Sequence, residues 1–202
     1  MDVYVGVEGF TDEGVASAIV RSCGLSVHAY YGRHGKDDLL KKLPRYNEAA
    51  ALIPWIVLVD LDDDGPCPGQ KCADWLPTPA KLMRFRIVVR KAEAWLLADA
   101  ERIAEFLAVS RALIPLNPEE LQDPKETIIS LARRSRKRDI RKGLVPRSNS
   151  GASVGPTYAS DIREFARSQW RPLVAAQCAP SLQRCLEHVR ELAAALNQDP
   201  AS

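Results

Sequence analysis

No apolar run in this 202-residue chain reaches the roughly 18 residues that a membrane-spanning helix needs, so no bilayer span is expected. Basic residues are missing ahead of the first apolar stretch, Met1-Asp2-Val3-Tyr4-Val5, and a secretory leader is not expected either. Cysteine is sparse. The five present are an odd number, scattered through a chain long enough to build a core without covalent staples. Neither Cys67 with Cys72, nor Cys178 with Cys185 and His188, has the ligand spacing of a structural zinc site. A reduced, cytoplasmic setting is the expectation. Net charge is small, +2, which gives the whole molecule no strong pull on nucleic acid. Repeats and low-complexity tracts are absent. So is a complete P-loop: Gly32-Arg33-His34-Gly35-Lys36 is too short, and Asp37 stands where Ser or Thr should follow the lysine. A basic glycine loop at a strand end can nevertheless touch phosphate, with Lys36 as the candidate.

What is present is an ordinary core-forming composition, 46% hydrophobic and 27% charged. Val3 to Val7 reads as a first strand ending at Glu8-Gly9. Thr11 is placed to cap the next helix, with Asp12 and Glu13 in its first turn and Val15, Ala18, Ile19 and Ser22 on one stripe. A second strand follows over Leu25 to Tyr31, then a helix from Asp37 to about Leu43, halted by Pro44. Trp55 to Asp60, rich in β-branched residues, reads as a third strand buried on both faces. Residues 64 to 79, dense in Pro and Gly, read as a long irregular loop. Arg86 to Arg90 is expected to be a fourth strand, and a helix from about Ala92 carries Trp95, Leu96 and Leu97 inward, with a bend near Asp99. Beyond Pro115 the expectation is short helical stretches over Pro118–Gln122 and Pro124–Arg134, a mobile loop over Gly143–Pro156, and helices over Thr157–Gln169 and Ser181–Leu196. The fold expected is therefore α/β: a Rossmann-like parallel sheet of about four strands with right-handed crossovers, residues 1–110, and a helical extension, residues 111–202, packed on it.

The chemistry is concentrated at strand ends. Asp60-Leu61-Asp62-Asp63-Asp64-Gly65 crowds four carboxylates at the end of the third strand, where like charges repel and raise each other's pKa. A divalent cation would remove that penalty. Ligands of parallel α/β sheets bind beyond the carboxyl ends of the strands, so Glu8 and Asp60 can converge, and Asp60 and Asp62 can point the same way off an extended strand. Oxygen ligands of this kind select Mg2+, Mn2+ or Ca2+. An EF-hand fails, because Lys71 occupies the twelfth position and the preceding segment is a strand. The plain alternative is a solvated acidic turn. Downstream, Arg133, Arg134, Arg136, Lys137, Arg138, Arg141 and Lys142 form a basic block, either a solvated helix face or a seat for a polyanion.

Val7-Glu8-Gly9-Phe10-Thr11-Asp12-Glu13 on the first strand–helix turn, followed by Val59-Asp60-Leu61-Asp62 on a later strand, resembles the Toprim (topoisomerase–primase) fold. That family includes topoisomerases, bacterial primases, small RNA-maturation nucleases and overcoming-lysogenization-defect nucleases. Residues 89–99, Val-Arg-Lys-Ala-Glu-Ala-Trp-Leu-Leu-Ala-Asp, are similar to a segment of an uncharacterised Toprim-like bacterial family often met beside an ATPase in phage-defence or mobile loci. The resemblance covers about residues 1–110. It implies Mg2+ (or Mn2+) held by Glu8, Asp60 and Asp62, with Glu8 also able to act as general acid or base. Glu93 would be a further ligand, or simply a partner of Arg90 or Lys91. Asp12 would steady the first turn or only cap a helix, and Asp64 would support. No catalytic tyrosine or zinc ribbon accompanies the pattern, so neither topoisomerase nor primase activity is implied. A haloacid-dehalogenase phosphatase is disfavoured by the Asp-x-Asp lying after two earlier strands. Two functions remain. One is a metal-dependent nuclease acting on DNA or RNA, with Arg134, Arg136, Lys137 and Arg138 on backbone phosphates. The other is a non-catalytic metal- or nucleotide-binding subunit docked on an ATPase, as a monomer or homo-oligomer.

Overall fold

The computed structural model describes residues 1–63, 65 and 67–198. Four parallel strands, β1 (Asp2–Val7), β2 (Ser26–Gly32), β3 (Trp55–Asp60) and β4 (Met83–Val88), form one sheet in the order β2-β1-β3-β4. The helices of the α/β half are α1 (Phe10–Ser22), α2 (Lys36–Ala49), α3 (Pro68–Trp75), α4 (Ala92–Ala98) and α5 (Ala100–Leu107). Single 3-10 turns at Arg111–Leu113 and Pro118–Glu120 lead to α6 (Pro124–Arg133), α7 (Arg138–Leu144), α8 (Tyr158–Ser168), α9 (Pro172–Ala175) and α10 (Pro180–Gln198). Among the described residues, no helix is long and apolar enough to cross a membrane.

The two-residue alternation of β3 divides the core. Trp55, Val57 and Val59 face α2 together with Leu39, Leu43, Met83, Phe85 and Ile87. Ile56 and Leu58 join Val3, Val5 and Val7 under the opposite layer, where α1, α4, α8 and α10 contribute Ile19, Trp95, Phe165 and Leu186. This second cluster is continuous from Val3 to Ala193, so the extension and the sheet share one core. Trp55, Trp95 and Trp170 are all buried in it or in its counterpart.

Several local expectations are corrected. Gly9, not Thr11, is the N-cap of α1, and the Asp12 carboxylate one turn in accepts the Gly9 N–H at 2.9 Å. Pro44 does not end α2, which runs on to Ala49, because Tyr46 must reach the apolar stripe begun by Leu39 and Leu43. Burial of that stripe outweighs one lost backbone hydrogen bond. The Pro/Gly-rich loop contains α3, with Pro68 at its permissive first position. The fourth strand lies three residues earlier at its start than Arg86, because Met83, Phe85 and Ile87 alternate inward while Arg84 and Arg86 face the other side. Arg84 there donates from Nε to the His188 carbonyl of α10, at 3.0 Å.

Candidate functional site

The chain passes from β1 to β2 on one side, then returns to place β3 on the other side of β1. That reversal makes a crevice at the carboxyl ends of β1 and β3, where ligands of open α/β sheets bind. Glu8 leaves the end of β1, and Asp60 is the last residue of β3. They meet directly. The Asp60 backbone N–H donates to Glu8 Oε1 at 2.7 Å. Alternation sends the Asp60 side chain to the face of Ile56 and Leu58, under α1 and α4. There its Oδ1 accepts the Ala92 N–H at 3.1 Å, at the otherwise unsatisfied start of α4.

Two helix starts bring further acids to the same spot. Asp12 sits in the first turn of α1 and Glu93 in that of α4, each favoured there by the helix dipole. Glu93, only 4% exposed, accepts a hydrogen bond from the Tyr158 hydroxyl at 3.1 Å and faces Lys125 Nζ at 3.6 Å. Burial is the main reason the Asp60 carboxyl lies well above its usual range, with Asp12, Glu8, Glu93 and Asp62 adding repulsion. Asp12 is raised to about 7 by burial, then by Glu93 and Glu8, against the lowering effects of the Gly9 N–H and Lys125. Lys125 in turn is held charged chiefly by Glu93, with Asp60 and Asp12 contributing. Burial and Glu93 push the Tyr158 phenol up, so it donates to Glu93 as a neutral hydroxyl.

The four acids Glu8, Asp12, Asp60 and Glu93 thus feel one another across the crevice. Even so, among the described residues no three His, Cys, Asp or Glu side chains stand together in a finished ion cage. Chemically the donor set is all oxygen, as a hard cation requires. Glu93 is engaged by Lys125 and Tyr158, and Asp62 by two lysines, so each has a partner to release before it could serve as a ligand.

Asp62 occupies the rim. Its backbone is left-handed (φ 48°), which breaks the extended run after Asp60, and its carboxylate pairs with Lys36 Nζ at 2.6 Å and Lys91 Nζ at 3.8 Å. It therefore does not simply repeat the direction of Asp60. Arg90 braces this turn, donating to the Asp62 carbonyl and to Asp63 Oδ1, both at 3.1 Å. Asp64 lies outside the described residues.

The basic block is not part of the crevice. Nine positions separate Lys125 from Arg134, about 14 Å of helical rise along α6. Arg134, Arg136, Lys137 and Arg138 are exposed around the α6–α7 turn, and Arg134 with Arg136 lines a surface recess of about 440 Å3. Lys125 and Tyr158 are the site residues that sequence reasoning misses, and they, not Arg90 or Lys91, are the partners of Glu93. Pro124-Lys125 at a helix start and a tyrosine 65 positions from Glu93 carry no recognisable spacing, and only the packing of α6 and α8 brings them in. Comparison of the chain with protein-family models, with curated proteins and with solved structures gives no match.

Proposed function

We propose that the chain is a Mg2+- or Mn2+-dependent phosphodiester-cleaving enzyme of the Toprim type, acting on nucleic acid. The observation that carries this reading is Asp60, half-buried at a strand end with its N–H on Glu8, its carboxyl raised first by desolvation and then by Asp12, Glu8 and Glu93. A charge drawn partly out of water among other acids is costly unless it is compensated, and the one N–H that the Asp60 carboxylate accepts, from Ala92, does not neutralise it. A divalent cation would compensate it, with Glu8 and Asp60 as the holding residues, Asp62 from the rim and Glu93 from α4. Such an ion supplies neutralisation of phosphoryl oxygens and an acidified water.

The chain's own groups have separate roles in this reading. Asp12, with its proton affinity near neutrality, suits proton exchange with water or with the leaving oxygen. Lys125 offers a fixed positive charge beside the carboxylates, suited to a non-bridging phosphate oxygen. Lys36 and Lys91 at the rim suit the flanking phosphate.

Plasmid DNA and single-stranded RNA incubated with purified protein and Mn2+ test the reading. Cleavage is expected, and Asp60→Asn or Glu8→Gln should lower it by roughly a hundredfold or more, with circular dichroism unchanged. Equal cleavage by both variants would sink the assignment. The ion pair of Lys125 with Glu93 favours one second reading, a closed regulatory subunit. Calorimetric Mn2+ binding with no cleavage of either polymer would support that instead.

A further inference from the structure

The open edge of the sheet carries a second feature that the carboxylates do not use. A surface groove of about 590 Å3 wraps the end of β2, with Tyr31, Arg33, His34, Lys42 and Arg45 among its lining residues. Tyr31 is 40% exposed although it is a large aromatic residue on an edge strand. Its inner side is braced by Trp55 at 5.0 Å, Tyr4 at 5.9 Å and Tyr46 at 6.1 Å between ring centroids. The ring is therefore fixed by its neighbours while part of its surface remains open to solvent.

The charge around it is mainly positive. Arg33 is anchored by Glu13 at 2.7 Å and stays about half exposed, Lys42 is anchored by Asp38 at 2.8 Å, and Arg45 projects from α2 into solvent. The same loop ties the groove to the carboxylate crevice. The Arg33 N–H donates to the Val7 carbonyl and the Gly35 N–H to the Glu8 carbonyl, both at 2.9 Å. A polymer leaving Glu8 and crossing Gly32–Gly35 would arrive at Tyr31.

We propose that this groove is a single-strand subsite, in which an unpaired base stacks on Tyr31 while its neighbouring phosphates lie on Arg33 and Arg45. Every base has a π-face, so such a platform binds strands without reading sequence, and a duplex hides the faces it needs. The inference rests on the nucleic-acid reading above, but its test does not depend on cleavage. Fluorescence anisotropy of a labelled oligothymidylate, in EDTA at low salt, compares wild type, Tyr31→Leu, Tyr31→Phe and Arg45→Gln, with a blunt duplex of equal length alongside. Tyr31→Leu should weaken oligothymidylate binding roughly tenfold to a hundredfold while Tyr31→Phe keeps it. Arg45→Gln should lower the salt slope by about 0.7. Duplex binding should change far less with Tyr31→Leu. Unchanged oligothymidylate binding in Tyr31→Leu, an equal loss for the duplex, or no binding by wild type would each overturn the subsite. If Asp60→Asn abolishes cleavage while Tyr31→Leu binds as wild type, the subsite alone is wrong. If Asp60→Asn still cleaves while Tyr31→Leu loses the strand, the cleavage assignment alone is wrong.

Discussion

Asp12 links the site to stability through a single proton. Its folded pKa of about 7 stands above the ordinary 3.8. Between those values the folded chain holds a proton that the unfolded chain has released. Stability of the metal-free protein therefore falls as pH rises through this window, and is lowest above about 7. Asp12→Asn keeps an acceptor for the Gly9 N–H but removes the charge. It should raise metal-free stability near pH 8 by about 1–3 kcal/mol, below the full linkage value because Asp12 is partly open to solvent. Near pH 4 the two proteins should unfold alike. Thermal melts across this range in EDTA decide it, and parallel curves for both proteins would refute the coupling. Asp12, Glu8, Asp60 and Glu93 were legible because each occupies a position that sequence defines, a strand end or a first helical turn. The direction of Asp62 was not, since its left-handed backbone breaks the alternation that the strand pattern implies, and its partners Lys36 and Lys91 come from other elements.

At the scale of elements, two helices contradict local propensity or supply what no motif announces. α2 carries Pro44 at an exposed interior position, with Leu39, Leu43 and Tyr46 holding the helix to the sheet. An interior proline costs about 3 kcal/mol, offset by about 1 kcal/mol through a stiffer unfolded chain. Pro44→Ala should accordingly stabilise the protein by about 1–2 kcal/mol, read as a higher urea midpoint at constant slope. A lower midpoint would mean that the proline fits its place better than helix geometry allows. α6 acts differently, by bringing Lys125 to Glu93. Lys125→Met should destabilise the metal-free protein by about 1–2 kcal/mol, since the lysine is partly exposed and Tyr158 still serves Glu93. It should also tighten Mn2+ binding in calorimetry, because a competing cation is gone. Weaker Mn2+ binding would show that Lys125 does not compete for the site. The strands and the main helices were readable from alternation and from bulky apolar runs. α3 was hidden by its Pro and Gly content, and the start of β4 by the arginines that alternate with Met83 and Phe85.

For the molecule as a whole, the extension is joined to the sheet mainly where α1 crosses α8. Gly14 lies so close to α8 that an added Cβ would stand 2.4 Å from the Arg163 carbonyl oxygen and 3.0 Å from the Ala166 Cβ. Next to it, buried Glu13 ties the loop after β2 to α8 through Arg33 at 2.7 Å and Arg163 at 3.0 Å. Because α8 also begins with Tyr158, this crossing sets the distance between the extension and Glu93. No sequence pattern identifies Gly14 as a contact point, for its role depends on a partner 149 positions away. Two effects of Gly14→Ala oppose each other. Alanine is the better helix former by about 1 kcal/mol, whereas forcing two backbones apart in a packed core costs about 1–3 kcal/mol or more. Because the nearest atom is the Arg163 backbone oxygen rather than the end of a flexible side chain, the clash should win. Gly14→Ala is expected to lower stability by about 1–2 kcal/mol in urea denaturation. It should also reduce cleavage more than Ser17→Ala on the same helix does, because α8 must shift and carry Tyr158 with it. Stabilisation by Gly14→Ala would instead show that α1 and α8 do not touch through this glycine, and that the extension reaches Glu93 by another route.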